Sequence, residues 1–245
     1  MKIYSTLLGI TLSFLSYSAI AQCSASILEE FDSQTACGTN CGNACTINGF
    51  WSNSLNDDID WTVDAVGTPS GSTGPSADHT SGSGNYIYTE ASGCTGDTAI
   101  LISQSIDLSA APGYAMEFWY HMFGSTMGNL FVEVSIDSLA TWVQLDSLKD
   151  NMDLWQFRSI NLSAYINDTI FLRFRGITGT GLSSDMALDD INLKVLQTND
   201  ADVAGFTGPI NPITSGINNV DFLIKNTGIY FIELDGYKKK LILTK

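Results

Sequence analysis

Between Gln22 and Lys149 the chain carries fifteen Asp or Glu and no Lys or Arg. This acidic stretch holds Asn56-Asp57-Asp58-Ile59-Asp60-Trp61, Asp78-His79-Thr80 and Gly84-Asn85-Tyr86-Ile87-Tyr88-Thr89-Glu90. So many hard oxygens with so little counter-charge either collect a cation or tolerate strong self-repulsion. Calcium takes about six to eight oxygens, more than any three-residue run supplies, so its ligands would come from distant parts of the chain. The competing reading is that the acids cap turns and solvate loops. That reading suits Asp57, Asp97 and Asp137.

Other chemistry is thinly supplied. His79, between Asp78 and Thr80, reads as a hydrogen-bonded loop residue, and His121 as a packed residue at the end of an aromatic strand. The sequence contains neither Gly-x-Ser-x-Gly nor His-Glu-x-x-His. Glycosidase chemistry needs two carboxylates at a matched separation. Glu117 and Glu133 are the only obvious pair, and solvent-facing strand positions explain them equally well. Cys37-x3-Cys41-x3-Cys45 could form a metal cluster with His79, but the spacing fits no common zinc pattern. Disulfides are the default for an exported chain, and five cysteines leave both the pairing and the odd thiol open.

The chain has 245 residues, 44% of them hydrophobic, and a formal net charge of −15. That charge argues against nucleic acid and anionic lipid as partners, because both need clustered Lys and Arg. Lys2, the apolar run Leu7 to Ile20 and Ala19-Ile20-Ala21 read as a signal peptide over residues 1–21. No later stretch is apolar for long enough to insert in a membrane. An exported protein, extracellular or on an outer-membrane surface, is expected.

Period-2 alternation dominates the rest. Leu130, Val132, Val134 and Ile136 alternate with Phe131, Glu133 and Ser135, and Ile170, Leu172 and Phe174 with Phe171, Arg173 and Arg175. Residues 99–106, 116–122, 157–162 and 191–196 read as further strands between Gly, Ser, Asp and Asn clusters. No stretch keeps a helical period for three turns. The pattern predicts an all-β sandwich or barrel over residues 22–197. A linker with a partial immunoglobulin-like segment follows over 198–227. The chain ends in a hairpin over 228–245, with its turn at Asp235-Gly236.

The order of the motifs resembles the MAM domain, the extracellular adhesion module of meprins, neuropilins and receptor tyrosine phosphatases. The pieces are the Asp57–Glu90 block, Ala99 to Ser103, Glu117-Phe118-Trp119-Tyr120-His121-Met122, Gly124 to Leu130, Trp142, Trp155 and Ser184 to Ile191. The resemblance implies a two-sheet jelly roll of concanavalin A-like type. It implies a non-catalytic binding or adhesion role toward an extracellular protein or glycan, with homophilic contact possible. It also implies a structural calcium (or sodium) site at Asp32, Asp58, Asp60, Asp78 and Asp189 or Asp190. The family's usual Cys before the Phe-Trp-Tyr strand is replaced by Ala115-Met116, so Cys94 must pair differently or stay free. Four of the five Trp fall at positions that pack the core in the family; stacking on sugar is the alternative. A carbohydrate-binding module is the first alternative function and a lectin-fold hydrolase the second. Residues 198–227 resemble the opening of an immunoglobulin-like repeat of exported Bacteroidetes proteins. The final hairpin is similar to the end of a type IX secretion sorting domain.

Overall fold

The structure, a computed structural model, describes residues 27–196 and, beyond them, the strands 203–208, 221–224, 228–234 and 237–243. The expected signal peptide and Cys23 lie outside the described residues.

Two antiparallel sheets of six strands each face one another. The first runs β10 (Met152–Asn161), β7 (Tyr114–Met122), β12 (Met186–Val195), β4 (Tyr86–Tyr88) and β3 (Thr62–Asp64), with β1 (Ile27–Glu29) also paired to β12. The second runs β2 (Trp51–Asn53), β5 (Thr98–Ser103), β11 (Thr169–Ile177), β8 (Asn129–Ser135) and β9 (Val143–Leu148), with β6 (Ile106–Asp107) also paired to β11. Alternation left an all-β sandwich or barrel open, and the two-sheet sandwich is the one present.

Alternation explains the packing. On β7, Met116, Phe118, Tyr120 and Met122 enter the space between the sheets, while Glu117 and Trp119 stay partly exposed on the outer face. On β11 and β8, Ile170, Leu172, Phe174, Leu130, Val132 and Val134 complete the opposite wall. Trp51 packs near Phe174, their ring centroids 5.5 Å apart, and Phe174 meets Phe118 edge-on at 4.9 Å. Burying aromatic pairs across the two sheets contributes both area and preferred ring geometry. Ile136 falls outside β8 and is exposed, so the alternation stops one residue short of the expectation. The strand expected over 99–106 is divided into β5 and β6, because the register against β11 slips by one residue between Ile102 and Ile106, where Leu172 N–H donates to the Ser103 hydroxyl.

Disulfides join Cys37 to Cys45 and Cys41 to Cys94. The metal-cluster reading of Cys37, Cys41 and Cys45 with His79 is thereby overturned, since all three sulfurs are oxidised. At the far end of the chain, β13 (Val203–Gly208) pairs with β14 (Asp221–Ile224), and β15 (Gly228–Leu234) pairs with β16 (Tyr237–Leu243). The second pair is antiparallel, as a terminal hairpin requires; the turn expected at Asp235-Gly236 lies outside the described residues.

Candidate functional site

One edge of β12 has two successive partners. β4 pairs with it at Ala187 and Leu188, and β1 pairs with it from Ile191 to Leu193. Asp189 and Asp190 are left between them. On the other edge the register with β7 slips between Asp189 and Asn192, and Asp190 has a left-handed φ of 48°. A bulge of this kind unpairs the backbone locally and re-aims consecutive side chains. The result is a notch in the sheet, furnished with two carboxylates.

The β3–β4 loop fills the notch. His79 N–H donates to Asp189 Oδ2 at 2.9 Å, and His79 Nδ1 lies 2.6 Å from Asp190 Oδ2. Thr80 Oγ1 donates to the same Asp190 oxygen at 2.6 Å. The His79 ring stacks on Trp119 with centroids 3.7 Å apart, and Trp155 Nε1 donates to the Ala77 carbonyl. Asp78 folds its own loop, accepting Gly84 N–H on Oδ1 and both Ser81 N–H and Ser81 Oγ–H on Oδ2. Asp32 arrives from the turn after β1 and accepts Asn85 N–H at 2.7 Å. A Cβ on Gly84 would collide with Asp32 Oδ1 and press on Asp78 Oδ2, so these two carboxylates flank one glycine. Glycine is the residue that permits so close an approach.

The electrostatics follow from burial. Asp189 is 1% exposed. Burial pushes its carboxyl up to about 8, the charges of Asp190 and Asp78 add to the rise, and the His79 and Asp190 amides oppose it. Burial also pushes Asp78 upward, but the hydrogen bonds from Ser81, Gly84 and Ser83 outweigh it and hold the carboxyl below its ordinary value. Asp189 thus sits among like charges, an arrangement that a hard cation would relieve.

Asp32, Asp78, Asp189 and Asp190 are the expected site residues that this region assembles. Asp58 and Asp60 are not among them. Asp58 Oδ2 accepts Thr98 N–H at the start of β5, and Asp60 Oδ2 accepts Cys45 N–H in the disulfide loop. Both serve as backbone caps, the role expected for Asp57, Asp97 and Asp137; Asp57 Oδ2 accepts Ile100 N–H. Among the described residues no three His, Cys, Asp or Glu converge closely enough to hold one ion as they stand. Asp32, Asp78 and Asp189 are each turned onto a backbone amide. The donor set suits a hard ion in its chemistry; coordination would require carboxylates to turn from those amides toward Gly84.

The hydrolase pair separates. Glu117 lies on the outer face of the first sheet beside Lys194, whereas Glu133 lies on the second sheet between Arg173 and Arg175 at 2.6 and 2.9 Å. Two acids on different sheets cannot flank one glycosidic bond. The Trp residues divide as well. Trp51 and Trp61 are core, Trp119 and Trp155 line the outer face under the His79 loop, and Trp142 lies 4.1 Å beneath Arg173.

A further acidic group escaped the sequence reading. Asp64, Glu90 and Asp185 are all buried, and Asp64 Oδ2 and Asp185 Oδ2 have no hydrogen-bond partner among the described residues. Burial, reinforced by the Glu90 charge, pushes Asp185 up to about 7. Nothing in the local sequence sets these three apart from the surface acids around them.

The sequence profile of the MAM domain (meprin/A5/mu) matches residues 30–199. The chain belongs to the MAM domain family. Over 74 residues it is 45% identical to neuropilin-1a of Danio rerio, an alignment covering 30% of this chain and 8% of that protein. Over 148 residues it is 34% identical to MAM domain-containing glycosylphosphatidylinositol anchor protein 1 of Gallus gallus, covering 56% of this chain and 15% of the relative. The chain therefore spans less than a quarter of the length of these curated relatives. Among solved structures, the K1 cleaved adhesin domain of Lys-gingipain from Porphyromonas gingivalis W83 aligns with a TM-score of 0.47 at 16% identity, over 71% of this chain and 99% of that one. In this MAM domain no helix among the described residues is long and apolar enough to cross a membrane.

Proposed function

We propose that this MAM protein is an extracellular, non-catalytic binding module whose β12 notch takes a structural calcium ion, with sodium as the weaker alternative. Asp32, Asp78 and Asp189 would hold it, with Asp190 kept beside them by His79. The observation that carries this reading is the gap between β4 and β1 on β12, where acids from three separated segments flank one loop, each turned onto a backbone amide, with no Lys or Arg of the described residues paired to them. An ion there would join the first strand, the β3–β4 loop and the last strand of the sandwich. It would supply charge neutralisation and no reaction step. The notch residues would thereby hold a loop surface in one shape for a partner, either a protein or a glycan.

Family membership and the anchored and neuropilin relatives support an exported location. The terminal hairpin is read as a surface-sorting element. The test is capture from the native cell surface with the purified chain, with and without calcium. Retention of a partner only with calcium is the expected result. No retained partner under either condition would reject the binding role.

A further inference from the structure

A second feature lies away from the notch, at one end of the sandwich. The loops after β7, β9 and β11 enclose an open cleft of about 710 Å³, within the range of small-ligand sites. We propose that this cleft binds a carboxylate-bearing glycan, with Lys149 pairing the carboxylate. The proposal rests on the binding-module reading and names a ligand class and a place for it.

Charge points to the ligand. Arg158 pairs with Asp146, Arg173 and Arg175 with Glu133, and Lys194 with Glu117. Among residues 27–196, Lys149 is the one Lys or Arg without an ion-pair partner, and it lines this cleft. The acid beside it, Asp150, is already engaged by the Tyr120 hydroxyl at 2.7 Å. Asn151 is similarly oriented: its Oδ1 accepts Gly124 N–H at 2.9 Å, which leaves its amide hydrogens to donate elsewhere. Ser125, Asn129 and Thr180 add hydroxyl and amide groups. The lining is rich in donors, carries one uncommitted cation, and includes no aromatic side chain.

The floor is already fixed. A Cβ on Gly128 would collide with the Ile177 carbonyl, and one on Gly179 with the Thr126 carbonyl. Ser184 Oγ accepts from both glycine amides, at 3.0 and 2.6 Å. Loops locked together in this way lose little freedom when a ligand arrives.

This chemistry selects among anions. A peptide would want an apolar anchor pocket or a free strand edge, and the cleft supplies neither. A densely charged polyanion would meet the field of a chain with a net charge of −15. A polyhydroxyl chain with isolated carboxylates satisfies the donors and the single ammonium without that repulsion.

The test is amide-resolved NMR titration of the chain with a uronic-acid trisaccharide, its carboxyl-reduced neutral counterpart and a polysulfated oligosaccharide. The acidic trisaccharide should move the amides of Ser125 to Asn129, Asn151 and Thr178 to Thr180. The neutral and polysulfated probes, and the Lys149→Met variant, should each bind about tenfold more weakly, while Lys149→Arg keeps affinity. Lys149 is exposed, so its variants should melt with the parent. Shifts confined to other residues, no shifts at all, equal binding of the neutral probe, or full affinity in Lys149→Met would each overturn the proposal. Failure here leaves calcium-dependent capture of a partner intact, which separates it from failure of the binding role.

Discussion

His79 Nδ1 stands 2.6 Å from Asp190 Oδ2, across 111 residues of sequence. With its ring stacked on Trp119 and its amide bonded to Asp189, His79 fastens the β3–β4 loop to the bulge in β12. His79→Ala keeps the amide bond but removes the stack and the Asp190 contact. A loss of about 1–3 kcal/mol is expected, read by denaturant unfolding, together with a change in the Trp119 near-ultraviolet dichroism. His79→Gln, which can still reach Asp190 but cannot stack as a ring, should fall between the two.

Calcium should raise the melting temperature. At about 100 times its dissociation constant, an ion bound only by the folded state adds roughly 2.7 kcal/mol. Asp189→Asn separates the ion from the fold. In chelator the variant should be at least as stable as the parent, because a carboxyl that burial and the charges of Asp190 and Asp78 make costly to ionise is replaced by a neutral amide. In calcium it should gain little. Identical melts of the parent in calcium and in chelator would exclude the ion.

The raised acids also set the sign of the pH response. Asp189 at about 8 and Asp185 at about 7 lie above the ordinary 3.8. Between those limits the folded chain binds more protons than the unfolded one, so stability falls as pH rises. The contribution is complete below about pH 4 and is lost in passing through 7 and 8. In chelator, melting temperature should therefore decline from pH 5 to pH 9. Asp185→Asn should flatten part of the decline below about pH 7, and calcium should flatten the part that belongs to Asp189, which continues to about pH 8.

The long strands were legible because one buried face imposes period 2, as on Leu130, Val132 and Val134. The three-residue strands β1 to β4 were not, since so short a run carries no period, and their place is fixed by pairing: β1 and β4 with β12, β2 with β5, and β3 with β4. The resemblance to the MAM family is what placed Asp32, Asp78, Asp189 and Asp190 in one group. It also placed Asp58 and Asp60 there, because a one-dimensional pattern cannot show which backbone amide a carboxylate caps. The His79–Trp119 stack was equally hidden. It depends on a loop folding back over the outer face of a sheet, and no local spacing encodes that return. Glu133 read as a surface residue because Arg173 and Arg175, its partners, lie on another strand.

The two disulfides should differ in worth. Cys41–Cys94 closes a separation of 53 residues and Cys37–Cys45 one of 8. On the chain-entropy account the longer link constrains the unfolded state by about 4 kcal/mol and the shorter by about 2.5 kcal/mol. Replacing both cysteines of a pair by Ser avoids leaving a free thiol. The Cys41–Cys94 double variant should then lose more stability in denaturant unfolding than the Cys37–Cys45 one. Cys41 lies inside the Cys37–Cys45 loop, so the two closures overlap and each cushions loss of the other; removing all four cysteines should cost more than the two separate losses added together. A larger loss from the shorter link would show that it acts through native packing around Cys45, whose sulfur accepts the Val63 amide at 3.3 Å, and not through loop closure.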